Sequence, residues 1–134
     1  MADALNLGPR FIMDSENIAE AWIQLHHLPK ESSERETLFW AWERLNDLVD
    51  SEPEAAWNVI QEIIALDQSD EILANVGAGS FEDLLAKHGA RFIDKVESCA
   101  RAHPGFRRML GVVWKNEIPD EVWNRIRAIA PPSW

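Results

Sequence analysis

Glu82, Asp83 and His88 form the densest group of chemistry-bearing side chains in the sequence, inside the run GAGSFEDLLAKHG from Gly77 to Gly89. A carboxyl group beside an imidazole can do general acid–base work, one giving a proton while the other takes it, provided that both reach the same substrate. Glu97 and Arg101 follow on the next helical stretch. A small enzyme or ligand-binding regulator would have to gather Glu82, Asp83, His88, Glu97 and Arg101 around one pocket. Helix-end roles account for the same run without catalysis: Ser80 as an N-cap, Glu82 and Asp83 in a first turn where negative charge suits the helix dipole, His88 in a last turn and Gly89 as the break after it.

Nothing else in the chain has the spacing of a reactive centre. None of the four histidines, His26, His27, His88 and His103, has another at i, i+4, so no helix face presents two imidazole ligands and no metal is expected. His88 and His103 read as helix-end residues. Cys99 lies within an amphipathic pattern, reads as a small buried hydrophobe, and as the single cysteine can form no internal disulfide. No serine sits at a nucleophile elbow, and Gly77, Gly79 and Gly89 lack the Walker spacing and preceding strand of a phosphate loop. No catalytic residue and no cofactor are expected, and a non-catalytic binding protein is the leading expectation.

The distribution of charge bears most directly on partners. Residues 1–67 hold four basic and fourteen acidic side chains and residues 68–134 hold nine of each, so the whole net charge of −10 falls in the first half. Glu31, Glu34, Glu36, Glu43, Asp47, Asp50, Glu52 and Glu54 crowd around the second helix and its flanking turns. Such a face repels nucleic acid and speeds encounter with a basic protein surface. The expected partner-binding residues are Glu31, Glu34, Glu43, Asp47, Asp50 and Glu54, with Trp40 as an aromatic anchor. Trp40 points about 200° away from Trp42, which shares the apolar stripe of Leu38, Leu45 and Val49. A solvated face that only keeps the protein soluble has the same composition. In the second half Arg101, Arg107, Arg108, Lys115, Arg125 and Arg127 are balanced by acids and are expected to form surface pairs, which argues against direct nucleic-acid binding. The expected partner is a basic protein such as a toxin, a nuclease or another nucleic-acid-handling protein, docked as an immunity protein or inhibitor docks its target. A homo-oligomer is the further option.

Helices must position these residues, and the apolar spacing supplies eight. Asp14 or Ser15 can cap a first helix carrying Ile18, Ala21, Trp22, Leu25 and Leu28, ended by Pro29. Ser33 with Glu36, and Ser51 with Glu54, have the capping-box pattern ahead of a second helix to about Val49 and a third carrying Ala56, Trp57, Ile60, Ile63 and Ile64. Ser69 opens a fourth with Ile72, Leu73 and Val76, and Gly77 is placed as a left-handed C-cap. Ser80 opens a fifth with Phe81, Leu84 and Leu85, stopped at His88 and Gly89. A sixth carries Phe92, Ile93, Val96 and Ala100 to Pro104, a seventh Phe106, Met109, Leu110 and Val113, and Pro119 starts an eighth with Val122, Trp123, Ile126 and Ile129. No alternating run rich in valine, isoleucine and threonine is bounded by turn signals. The expected fold class is all-α, a compact irregular bundle with some stacking of helical hairpins.

With 134 residues, 46% of them hydrophobic and 27% charged, the chain has the size and balance of one domain over residues 1–134, with loose ends at 1–13 and 131–134. Most of the seven tryptophans are expected in its core, because large aromatics supply much of the buried area of a small domain. No apolar run approaches the ~20 residues of a membrane span and the N-terminus has no leader pattern, so the expected location is the cytoplasm, away from membranes.

Pro53-Glu54-Ala55-Ala56-Trp57, the GSFEDLL segment leading to His88 and Gly89, Phe92-Ile93 with Glu97 and Arg101, and Phe106 with Val113-Trp114 and Trp123 together resemble a family of small bacterial helical proteins catalogued as a domain of unknown function. The resemblance covers about residues 38–127. It implies a bacterial helical domain and supplies no catalytic residues. Members of the family look like the small accessory proteins that neutralise toxins or defence factors.

Overall fold

The apolar spacing folds as helices, and the fold class is all-α. The structure, a computed structural model, describes residues 18–134, and no strand occurs among them. The cap expected at Asp14 or Ser15 and the loose end at 1–13 lie outside the described residues. A helical segment, α1, covers residues 18–27. It is followed by α2 (Glu34–Ser51), α3 (Pro53–Leu66), α4 (Asp70–Gly77), α5 (Ser80–Ala102), α6 (Pro104–Leu110) and α7 (Asp120–Ile129).

Of the serine start signals, Ser69 behaves as expected: its Oγ accepts from the Ile72 N–H at the start of α4 (3.4 Å). Ser33 stands at the α2 N-cap in a helical conformation without a side-chain cap bond, and Ser32 Oγ accepts from the Glu34 N–H instead (3.2 Å). Ser51 belongs to the end of α2, where its hydroxyl donates to the Asp47 carbonyl (2.8 Å). α3 then begins at Pro53, whose missing N–H costs nothing in a first turn. Ser80 is the buried first residue of α5, behind an N-cap at Gly79.

The expected fifth and sixth helices follow each other without a connecting loop as one kinked element, α5, so the count of eight is too high, but the break between them stands where the sequence placed it. The kink falls at His88 (φ −137°, ψ 23°), whose Nε2–H donates to the Val49 carbonyl near the end of α2 (2.8 Å). Gly89 does not stop the helix. A Cβ there would lie 3.1 Å from both methyls of Val122, so its absence lets α7 approach α5. Gly77 is not left-handed, since no described glycine has a positive φ. A Cβ on Gly77 would collide with Val112 Cγ1 and lie 2.9 Å from the Met109 carbonyl oxygen, so glycine serves close packing there too.

α5 is the hub of the fold and packs against α2, α3, α4, α6 and α7. α2 and α3 pack together across a break of one residue, Glu52, which makes the chain double back, and α4 packs on α6. One buried apolar cluster runs from Ile18 to Ala130. Its centre is aromatic: Trp57 stacks on Phe92 (5.4 Å between centroids) and meets the edge of Phe106 (5.9 Å), which in turn meets Phe81 edge-on (5.6 Å).

The tryptophans correct another expectation. Trp22 and Trp57 are buried and Trp123 is half-buried, whereas Trp40, Trp42, Trp114 and Trp134 are exposed. On α2 the buried stripe is Ala41, Leu45, Leu48 and Val49. The small Ala41 takes the close contact, and Trp42 is displaced to the flank, stacked on Phe39 (5.1 Å). The tail after α7 lies pinned across α6: the Trp134 Nε1–H donates to the Arg108 carbonyl (2.9 Å), and the Trp134 ring covers the Arg108 guanidinium (4.7 Å). Among the described residues no helix is long and apolar enough to cross a membrane.

Candidate functional site

Helical spacing places Glu36, Trp40, Glu43 and Asp47 on one outward line of α2, opposite its buried stripe, and all four are exposed. Trp40 is 44% exposed, as is Phe39, and Trp42 is 40% exposed, so three aromatic rings stand in water on one acidic helix. Phe39 borders a shallow cavity of about 250 Å³ with Arg35 and Glu36. Arg35 is engaged elsewhere, donating to the carbonyls of Leu25 (2.7 Å) and Leu28 (3.1 Å) at the end of α1.

The expected docking acids divide into two groups. Glu31, in the turn before α2, and Glu34, Glu43 and Asp47 on the helix are exposed, with no cation within ion-pair distance among the described residues. Asp50 and Glu54 are tied to α5. Lys87 pairs with Asp50, and Glu54 accepts from both Lys95 Nζ and Arg91 Nε (3.0 Å each). The Lys95 bond, helped by that of Arg91 and opposed by desolvation, holds the Glu54 carboxyl below its usual range. The structure therefore gathers Glu43, Asp47 and Trp40, sets Glu31 and Glu34 at the N-terminal end of the same helix, and spends Asp50 and Glu54 on holding α5 to the α2–α3 hairpin.

The five residues of the enzyme reading do not meet. Glu82 accepts from Asn116 Nδ2 (2.6 Å), the one described non-glycine residue with positive φ (37°), a conformation asparagine tolerates. Burial raises the Asp83 carboxyl above its usual range. His88 is occupied by the Val49 carbonyl. Glu97 binds Arg125 through both oxygens (2.9 and 2.5 Å), which holds its carboxyl low. Arg101 lies at the far end of α5, against α6. None of five cavities among the described residues is lined by more than one of these side chains.

A cluster that no sequence signal announced joins α1 to the α3–α4 junction. His27 Nδ1 lies 2.6 Å from Glu71 Oε1, and its Nε2 lies 2.8 Å from Asp67 Oδ2. Carboxylate oxygens only accept, so both ring nitrogens carry protons and the ring is an imidazolium. The carboxylates grip opposite edges of the ring, and no group of three such residues among those described is arranged to hold a metal ion. The Asp67 bond first, then that of Glu71, raises the His27 pKa above 6.5 against a smaller opposing desolvation. The folded state thus holds this proton more tightly than the unfolded chain. The stabilisation is complete below pH 6.5 and is lost as pH rises through the elevated folded value. The urea midpoint of the wild type is expected to fall more between about pH 6 and pH 9 than that of His27→Gln, by a modest amount because the pair is solvent-screened. Parallel pH profiles would show that the clamp contributes nothing.

The basic residues of the second half are not uniformly paired. Arg125 binds Asp94 (2.7 Å) and Glu97, Lys115 binds Asp120 (2.9 Å), and Arg108 binds Asp70. Arg127 turns inward to backbone carbonyls, and Arg101 and Arg107 face no carboxylate within ion-pair distance among the described residues. The expectation of surface pairs fails for Arg127, which turns to backbone carbonyls, and for Arg101 and Arg107 at ion-pair distance, although Arg101, one turn from Glu97 on α5, is near enough to help hold that carboxyl low.

A family model described as a family of unknown function, DUF6869, matches residues 28–132. No curated protein and no solved structure matches the chain. The matched span contains the acidic face of α2, the kinked hub α5 and the arginines of α6, and with all six helices from α2 to α7 inside it, the chain belongs to the DUF6869 family.

Proposed function

We propose that the protein is a non-catalytic binding module that docks a basic protein through the outward face of α2, in the manner of an immunity protein or inhibitor. The observation that carries this reading is the exposure of Trp40 between Glu36, Glu43 and Asp47, with Phe39 and Trp42 beside it. At 40–44% exposure these rings forgo roughly half of the ~1.5–3 kcal/mol that full burial of a large apolar side chain is worth, and interface energy concentrates in tryptophan anchors ringed by polar groups. The acids around them would steer a cationic partner toward the anchor and set its orientation.

The test is affinity capture from the native host, purification of the retained partner and measurement of association kinetics. A basic partner is expected, with an association rate that drops about 10-fold between low and moderate salt and about 10-fold again in Glu43→Lys/Asp47→Lys. Trp40→Ala is expected to speed dissociation at least ~10-fold. An acidic partner, or rates unchanged by these substitutions, would sink the proposal.

A further inference from the structure

We propose that a cleft formed by the end of α5, by α6 and by the C-terminal tail binds a phosphorylated small molecule through Arg101, Arg107 and Arg108. This site is separate from the docking face of α2, and either can fail without the other.

The cleft encloses about 530 Å³, within the range of small-molecule sites. Arg101, Arg107, Arg108 and Ser133 line it, and no carboxylate among the described residues does. In a chain of net charge −10, three guanidiniums around one cavity are a local reversal of sign. Elsewhere cations are answered by acids: Lys87 by Asp50, Arg91 and Lys95 by Glu54, Arg125 by Asp94 and Glu97. Among the described residues of the cleft only Arg108 has a partner at ion-pair distance, Asp70; Arg101 feels Glu97 one helical turn away without pairing with it, so an excess of positive charge remains. Arg107 uses only its Nε, on the Ile129 carbonyl (3.3 Å), which leaves both terminal nitrogens for a ligand.

The wall opposite the arginines is built by close packing. A Cβ on Gly111 would collide with Ser133 Oγ and lie 3.1 Å from Trp134 Cδ1, so glycine allows the tail to lie directly on the end of α6 and keeps Ser133 at the edge of the cleft. Trp134 stacks on Arg108 and limits its rotamers. A phosphate group suits this lining better than a single carboxylate: it carries a charge of about −1.5 to −2 and three acceptor oxygens, enough to engage two guanidinium forks together.

Calorimetric titration with pyrophosphate, inorganic phosphate and succinate tests the site. Pyrophosphate is expected to bind saturably at one site, at least ~10-fold tighter than succinate, and Arg101→Gln/Arg107→Gln to weaken it at least ~10-fold. Arg44→Gln, on α2, should leave binding unchanged. Should the double variant fail to fold, Arg101→Lys keeps the charge, loses the fork and is expected to weaken pyrophosphate ~3-fold or more. Absence of saturable pyrophosphate binding, binding unaltered by the arginine substitutions, or succinate bound as tightly as pyrophosphate would each overturn the proposal.

Discussion

Phe106→Ala is expected to lower the free energy of unfolding by about 3–5 kcal/mol. Phe106 is 1% exposed and sits between Trp57 and Phe81, meeting both rings edge-on. Truncation removes those contacts and leaves a cavity that the neighbouring rings cannot collapse into, since Trp57 is already stacked on Phe92. α6 has seven residues, too few to be helical by itself, so Phe106, Met109 and Leu110 are what hold it to the body. A domain of this size has about 5–15 kcal/mol in total, so the variant should approach global instability. Urea unfolding measures the loss. Phe106→Leu, which keeps most of the volume, is expected to cost only about 1 kcal/mol. A Phe106→Ala midpoint close to that of Phe106→Leu would mean that the aromatic cluster is not the centre of the fold.

The helices were legible in the sequence because their apolar positions keep helical spacing; their punctuation was not. In α5 the buried positions Phe81, Leu85, Gly89, Phe92, Val96 and Ala100 continue in one phase through His88. That continuity keeps both halves in one element, although His88 leaves helical geometry at the position where a break was expected. A glycine that ends a helix and one that admits a neighbouring helix look alike until Val122 is placed against it. The capping serines misled for a related reason. A cap bond requires one backbone geometry at one residue, and a one-residue shift, as from Ser33 to Ser32, leaves the local composition unchanged.

The candidate site was legible in charge and illegible in pairing. That the first half is acidic follows from counting. Which acids remain available depends on α5 delivering Lys87, Arg91 and Lys95 to Asp50 and Glu54 across contacts distant in sequence. The exposure of Trp40 could be inferred from its angle on α2, whereas that of Trp42 depended on Ala41 taking the inner position. The His27 clamp and the arginine cleft had no sequence signal at all, because each is assembled from segments that only the tertiary fold brings together.

The same dependence on placement decides which arginine matters most for stability. Arg125 has the more conspicuous contacts, with Asp94 and Glu97, but Asp94 is exposed and the Glu97 pair only part-buried, so solvent screens much of their attraction. Arg127 has no carboxylate partner among the described residues. Its Nη1 donates to the Ala130 carbonyl (2.7 Å) and its Nη2 to the carbonyls of Leu110 (3.0 Å) and Val113 (2.6 Å), while the guanidinium lies over Trp123 (4.4 Å). Burial pushes its pKa below the ordinary arginine value, a sign that the charge sits in a drier place. These bonds fasten the end of α6 and the segment after it to the end of α7, and no other side chain satisfies those three carbonyls among the described residues. Arg127→Met keeps the stem and removes all three donors, and is expected to destabilise by about 3 kcal/mol; Arg127→Lys, which can reach fewer of the carbonyls, should recover only part of that. Arg125→Met should have the smaller effect despite its two acidic partners. If its urea midpoint falls further than that of Arg127→Met, surface pairing rather than carbonyl capture holds this end of the fold.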